Sequence, residues 1–228
     1  MKKMTFLLAC FIIALNNFSL FSQTQISVVT GFHTSNTKSE MTGDLVTLSP
    51  ITNFSVGLMA ERKLDDILTL MTGVIYRKKG FSMNESTGVD VLGLNLPLGV
   101  KLENEINYID VPLMLKYYID NSSPVQPYIA VGPSLGYALS GTLRTKATAI
   151  LDFTVATIDM NLSSNDYNRL DVSGNVLAGV NIPYGNGNVI AEIGYGQSFN
   201  NFINQDFIID AGGKHHGWSM NIGYGMKF

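Results

Sequence analysis

The chain has 228 residues, of which 46% are hydrophobic and only 14% are charged, with 22 glycines. A chain of this length and composition can bury a sizeable apolar core, which excludes a disordered tail or linker. The formal net charge is −3, and loss of Lys2 and Lys3 with a leader would make it more negative. No nucleic-acid partner is therefore expected.

The N-terminus has the composition of an export signal. Lys2 and Lys3 form a basic start, an apolar run covers 5–15, and a polar stretch ends at Ser22. The apolar run is about half the ~20 residues that a membrane-spanning helix needs, which favours a cleavable signal peptide over an anchor. We therefore expect a signal peptide at 1–22 and one domain at 23–228.

The single cysteine, Cys10, lies in this leader. The mature chain is thus expected to have no disulfide, no thiolate nucleophile and no cysteine metal ligand. An alternative is that Leu7-Leu8-Ala9-Cys10 is a lipoprotein box whose cysteine is acylated. The apolar run continues beyond Cys10 to Leu15, which disfavours this alternative.

After the leader, apolar residues alternate with small or polar ones at a period of two, which is typical of strands. In chain order, the predicted strands are 25–33, 53–62, 67–79, 106–118, 126–140, 169–182, 188–196 and 218–228. Each is near the ~9–11 residues that a tilted membrane strand requires, and their number is even, as in bacterial barrels.

The connections between these strands alternate in length. Long ones are predicted near 34–52, 81–104, 141–168 and 197–215, and short, turn-rich ones at 63–66, 120–124 and 184–187. This alternation of long and short connections predicts an all-β, eight-stranded, antiparallel up-and-down barrel with short periplasmic turns and long extracellular loops. A projecting hairpin over Thr145–Met160 is one extension of this fold, and a ten-stranded ring with two strands from 145–163 is an alternative.

Alternation alone does not tell which face of the barrel meets the solvent. A soluble, lipocalin-like barrel would turn its apolar face inward around a ligand. Two features favour an apolar face toward lipid instead. Aromatic residues occupy strand ends, at Tyr76, Tyr117, Tyr137, Tyr195, Tyr224 and Phe228. The opposite face carries charges of both signs, at Glu61, Arg77, Asp110, Lys116, Arg169, Asp171, Glu192 and Lys227.

These charges are predicted to form a network across the lumen, because isolated buried charges are costly. One interpretation is a small passive pore in which Asp110, Lys116, Arg169 and Glu192 tune the passage of ions. The interior of an eight-stranded barrel is only wide enough for side chains, so a closed plug is favoured.

Four short segments carry a family resemblance: Val56-Gly57-Leu58, Gly73-Val74-Ile75-Tyr76 followed by Lys79-Gly80, Tyr108-Ile109-Asp110-Val111-Pro112-Leu113 and Pro127-Tyr128-Ile129-Ala130-Val131-Gly132-Pro133. With them the chain resembles the PorT-type outer-membrane β-barrel family of Bacteroidota over about residues 24–228. The resemblance implies insertion into the outer membrane, contact with its lipids and, for some members, a link to protein secretion.

The C-terminus resembles the signal that is read by the barrel-assembly machinery, which is an expected partner during insertion. The candidate signal residues are Asn221, Gly223, Tyr224, Met226 and Phe228. Met226 stands where an aromatic residue is often found, which is a departure from the pattern.

Catalysis and metal binding are the weakest alternatives. Ser198, His215 and His216 lie near one predicted rim and suggest a lipid-trimming esterase, and His33 would complete a three-histidine metal site. Neither set has a diagnostic spacing, so we expect no enzyme activity, no cofactor and no metal. The function expected from the sequence is an interaction of the extracellular loops with an envelope partner or a membrane complex.

Overall fold

The computed structural model describes residues 24–39, 48–91, 94–120, 123–148, 152–163, 167–202 and 213–227. The predicted signal peptide, with Cys10, and the terminal Phe228 lie outside the described residues. No helix in these ranges is both long and apolar enough to cross a membrane.

The described residues form ten strands. In chain order they are β1 (Thr24–Ser39), β2 (Leu48–Ser49), β3 (Ile51–Lys63), β4 (Leu68–Val91), β5 (Leu94–Tyr118), β6 (Gln126–Thr148), β7 (Asp152–Met160), β8 (Leu170–Tyr184), β9 (Gly187–Ser198) and β10 (Gly213–Lys227). All except β2 and β7 form a closed antiparallel ring, in which β10 pairs with β1. The eight-stranded up-and-down barrel is thereby confirmed.

The two extra strands lie outside the ring. Strand β2 pairs with β4, and β7 pairs with β6. The ten-stranded ring is therefore wrong, because β8 pairs directly with β6 and leaves β7 outside the wall.

The apolar face of the wall points outward, and the polar face points into the lumen. Met220 and Ile222 are 64% and 65% exposed, whereas Met71 and Asp110 are each 1% exposed. An outer surface this apolar needs a membrane around it. The soluble-barrel alternative fails for the same reason, since it requires the apolar face to be buried.

Tight turns join the strands at one end of the barrel, as predicted. Between β3 and β4, the Asp65 carboxylate accepts hydrogen bonds from the backbone N–H groups of Ile67 and Leu68, at 2.8 and 2.7 Å. Between β8 and β9, Gly185 has φ +59°, a left-handed conformation that costs glycine little.

At the opposite end the strands are longer than the sequence predicts. The connection expected at 81–104 is paired instead, with Ser82 opposite Glu103 and Val91 opposite Leu94. Pairing satisfies backbone groups that an irregular loop would leave to water, and the alternation continues far enough to allow it. Strands β6 and β7 likewise pair as a hairpin, named here the ribbon (141–148 and 152–160). That it projects beyond the membrane stays a prediction.

Two apolar clusters fill the inside of the structure. One lies within the barrel and contains Val29, Met59, Met71, Met114 and Ala130. The other lies toward the long-connection end and contains Ile106, Tyr108, Ala138, Leu162 and Phe202. Leu162 and Phe202 come from the connections, so the second cluster caps the mouth of the barrel.

Candidate functional site

A buried ion pair lies inside the lumen near the short turns and spans β4, from β5 to β3. The Lys116 ammonium donates to both Glu61 carboxylate oxygens, at 3.1 and 3.0 Å. Lys116 has no exposed surface, and its Nζ lies 3.7 Å from the centre of the Tyr128 ring. The pair is thus fully desolvated, with an aromatic face to stabilise the cation.

Tyrosines and amides close the lumen beside this pair. The Tyr128 hydroxyl donates to Glu192 Oε1 at 2.6 Å, and its ring meets Tyr118 edge-on at 5.7 Å between centroids. The Asn181 amide in turn donates to the Tyr118 hydroxyl at 2.7 Å. These side chains link five strands of the wall, β3, β5, β6, β8 and β9, so this level of the lumen is a packed layer.

A second charged layer lies toward the long-connection end. Lys79 Nζ donates to Asp110 at 3.1 Å and to Asp171 at 2.7 Å, bridging β5 and β8. Arg77 Nε lies 3.0 Å from the other oxygen of Asp110. Two cations therefore face two carboxylates, and the layer is neutral.

Between the two charged layers lies the cluster that contains Met59, Met71 and Met114. A cavity of about 40 Å³ adjoins these methionines, and one of about 20 Å³ lies next to Lys79 and His215. A water needs about 10–15 Å³ of such volume, so each cavity holds a few waters at most and no hydrated solute. The geometry favours a closed lumen.

Of the eight predicted network residues, the structure brings six into the lumen: Glu61, Arg77, Asp110, Lys116, Asp171 and Glu192. Lys79 was not among the predicted network residues, yet it is central to the charged layer toward the long-connection end. It could have been found, because Lys79 follows Arg77 by two residues and shares its face, but the strand was predicted to end there.

Arg169 and Lys227 do not join the network. Arg169 donates to the carbonyl oxygens of Ala138 and Leu139, at 3.1 and 3.2 Å, and lies over the Tyr137 ring. It precedes β8, so strand alternation does not fix its direction. Lys227 is exposed at the last position of β10, beyond the sealed part of the lumen.

The candidate catalytic groups have separate partners. The Ser198 hydroxyl bonds to Asp171, whereas His215 Nδ1 lies 3.2 Å from the Thr37 hydroxyl. The His215 ring also stacks on Phe202, at 4.6 Å between centroids. Within the described residues, no group of three or more His, Cys, Asp or Glu side chains is placed to hold a metal ion.

Strand β7 of the ribbon is exposed along 153–159. In β7, Phe153, Val155 and Ile158 are each more than 60% exposed. The register between β6 and β7 shifts at Thr145, so Val155 is an extra, bulged residue. Within the part of the chain that the structure describes, the other edge of β7 pairs with no strand.

Four of the predicted assembly-signal residues lie in β10. Tyr224 and Met226 are exposed on the outer face, and the Tyr224 hydroxyl donates to the Tyr184 carbonyl oxygen at 3.1 Å. Asn221 points inward, where it accepts from the Ser55 hydroxyl at 3.4 Å, and Gly223 lies against Val29. The residues therefore close the ring against β1, and their role in assembly stays a prediction.

Comparison with known protein families gives one match, to the outer membrane protein β-barrel domain, over residues 18–204. The chain belongs to this family. Membership and the closed ring with its apolar exterior agree that the protein is an outer-membrane β-barrel. The finer PorT-type assignment stays a prediction.

Similar solved structures include three outer-membrane or surface proteins. Neisserial surface protein A is 16% identical, with a TM-score of 0.43, and the match covers 89% of this chain and 97% of that one. OprG from Pseudomonas aeruginosa is 15% identical, with a TM-score of 0.44 and coverage of 91% and 97%. Ail from Yersinia pestis is 13% identical, with a TM-score of 0.40 and coverage of 90% and 99%. No curated protein matches the sequence significantly.

Proposed function

We propose that this outer-membrane β-barrel is a closed, non-enzymatic anchor that presents the ribbon to a partner outside the cell. The observation that carries the proposal is the unpaired edge of β7. A strand edge offers a row of backbone N–H and C=O groups to any extended segment that lies beside it. The partner would therefore be an extended peptide segment of a neighbouring envelope protein.

The side chains of β7 support binding by strand addition. Phe153 and Val155 offer apolar surface, and Thr154 and Thr157 are exposed residues of high β-propensity. An edge that had to stay free would be expected to carry a proline, or lysines that repel a second strand. Strand β7 contains neither.

The packed lumen supports an anchor over a pore. The Glu61–Lys116 pair and the Lys79 bridge fill two levels, with methionines between them. Opening a path would require buried charges to lose their partners, which costs several kcal/mol for each pair. Passive transport is therefore the second candidate function, and no observation favours it.

Photocrosslinking in intact cells tests the proposal. A photoreactive residue is placed at Phe153, Val155 or Ile158 in turn, with Ile119 in a short turn as the matched exposed control. Strand addition predicts adducts with one and the same partner at the β7 positions and no such adduct at Ile119. A folded, surface-exposed protein that gives no adduct at any β7 position, or the same adduct at Ile119, would contradict it.

Export and assembly belong to the same proposal. The signal peptide at 1–22 would direct the chain out of the cytoplasm, and Asn221–Phe228 would be read by the assembly machinery. Removal of Phe228 is expected to lower the amount of folded barrel in the outer membrane, whereas removal of the lipid-facing Met220 side chain by M220A is not. A role in protein secretion, as in some PorT-type members, is a narrower form of the proposal, and a secretion defect on deletion of the ribbon would support it.

A further inference from the structure

Four cations and two carboxylates form a cluster on the outer side of β4, β5 and β6. Glu103 lies 2.9 Å from Lys101 and 2.7 Å from Lys146. Glu105 lies 3.1 Å from Lys78 and 3.2 Å from Arg144. Each carboxylate is thus shared by two cations, and the cluster carries a surplus of two positive charges.

The cluster continues the lipid-facing surface of the barrel. Tyr76, on the outer face of β4, donates to the Asn107 amide oxygen at 2.8 Å, and Lys78 follows Tyr76 by two residues on the same face. At about 3.3 Å per residue, Lys78 lies within ~7 Å of Tyr76 along the strand. Interfacial tyrosines mark the edge of the hydrocarbon, so Lys78 lies at the level of the lipid headgroups, together with the Arg144 guanidinium that shares Glu105 with it. Lys101, which lies opposite Asn84, and Lys146, which lies opposite Lys101, continue the cluster outward from that level.

The cations of the cluster are more exposed than its carboxylates, so they are the groups that a ligand can contact. The side chains of Lys78, Lys101, Lys146 and Arg144 are 28%, 26%, 22% and 33% exposed, whereas both carboxylates are 8% exposed. Arg169 adds a further cation on the neighbouring outer surface, over Tyr137. Asp159 of β7 lies opposite Thr142 and offsets one of these charges.

We infer that this cluster binds the phosphate groups of an outer-leaflet glycolipid. Surplus positive charge at headgroup height attracts anionic headgroups, and the ammonium and guanidinium donors suit phosphate oxygens. The net charge of the whole chain is negative, so the attraction comes from this local cluster. The inference does not depend on the ribbon's partner, because Arg144 and Lys146 lie on β6 against Glu105 and Glu103 of β5, whereas the proposed partner would bind the other edge of β7.

The test measures binding of lipid A to the full mature chain, folded in non-ionic detergent. The probes are lipid A with two phosphates and the same lipid after enzymatic removal of both. The test variant is R144Q together with K146Q, which leaves Glu105 paired with Lys78 and Glu103 paired with Lys101. The matched control is R62Q together with K63Q, which removes two exposed cations at the short-turn end of β3, away from the cluster. Heat-modifiability on gels verifies that every variant is folded.

The inference predicts that the test variant binds phosphorylated lipid A about 30-fold more weakly, since each basic residue near an anionic surface contributes about a five-fold change in affinity. The control variant should bind as the wild type does, and the dephosphorylated lipid should bind the wild type at least as weakly as phosphorylated lipid A binds the test variant, because it offers the cluster no phosphate at all. Equal binding of both lipids, or an equal loss in the control variant, would overturn the inference. Binding of inorganic phosphate alone to the wild type as tightly as phosphorylated lipid A would also overturn it, in favour of a free-anion site.

Discussion

Lys116 and Glu61 form a buried ion pair that joins β5 to β3 inside the lumen, with two contacts of 3.1 and 3.0 Å. Water reaches little of either charge, since Lys116 is 0% and Glu61 5% exposed. Each charge therefore depends largely on the other for its stabilisation.

Loss of one partner should destabilise the barrel strongly. Lys116→Met leaves the Glu61 carboxylate buried without its counter-charge, and we expect the free energy of unfolding to fall by about 3–5 kcal/mol. Urea unfolding of the detergent-folded protein, followed by gel mobility, measures the change. Lys63→Met, at the exposed end of β3, is the control and should stay within about 0.5 kcal/mol of the wild type.

The double variant Lys116→Met and Glu61→Gln distinguishes the buried charge from simple loss of packing. It should recover most of the lost stability, because the Glu61 carboxylate is no longer left without its counter-charge. Glu192, the other carboxylate at this level, also faces Lys116 but keeps its hydrogen bond from the Tyr128 hydroxyl. A double variant as unstable as Lys116→Met alone would contradict this explanation.

The folded barrel should not conduct. The described cavities of about 40 and 20 Å³ are too small for a hydrated solute, and charged layers lie on both sides of the methionines. Planar-bilayer recordings on a sample shown to be folded are expected to remain silent. Reproducible single-channel openings would instead favour the passive pore.

The ribbon should lie outside the cell and the short turns in the periplasm. The mature chain is expected to lack cysteine, so single cysteines can be introduced at exposed positions without interference. Thr157→Cys in β7 should react with a membrane-impermeant maleimide on intact cells, whereas Asn186→Cys in the β8–β9 turn should react only after the outer membrane is permeabilised. The reverse pattern would place the ribbon on the periplasmic side.

The cluster around Glu103 should weaken in acid. Burial alone would raise the pKa of the Glu103 carboxyl, but hydrogen bonds and charges from Lys146 and Lys101 hold the pKa below its usual value. A lowered pKa in the folded state gives stability that is present above the ordinary glutamate value, about 4.3, and is lost as the pH falls through the lowered value.

Hydrogen exchange of the amides in 99–106 measures this loss. After correction for intrinsic rates, their protection should be constant near neutral pH and should fall in acid. In Glu103→Gln the acid-dependent part should be smaller, because one titrating group has been removed. An identical acid-dependent fall in Glu103→Gln would assign the effect to other groups.

Strand alternation predicted the wall of the barrel because it is a local property. Side chains two residues apart share a face, so Met220 and Ile222 could be placed together, and the opposing charges showed which face was the lumen. The membrane then required the apolar face to be outside.

The capped mouth could not be predicted in this way. Phe202 and Leu162 lie in connections, where no periodicity indicates direction, yet both pack with Tyr108 of β5. Arg169 was misplaced for the same reason, since it lies just before β8 begins. The continuation of β4 and β5 beyond the barrel depends on their pairing with each other. Pairing between two strands is not a local property, so the sequence pattern did not predict it.

Heat-modifiability in the outer-membrane fraction is the most direct test of whether this chain is a membrane-embedded β-barrel. We predict that the protein fractionates with the outer membrane, and that its unboiled, folded band shifts to the mobility of the unfolded chain on boiling. A soluble periplasmic protein whose mobility does not change on boiling would contradict the account.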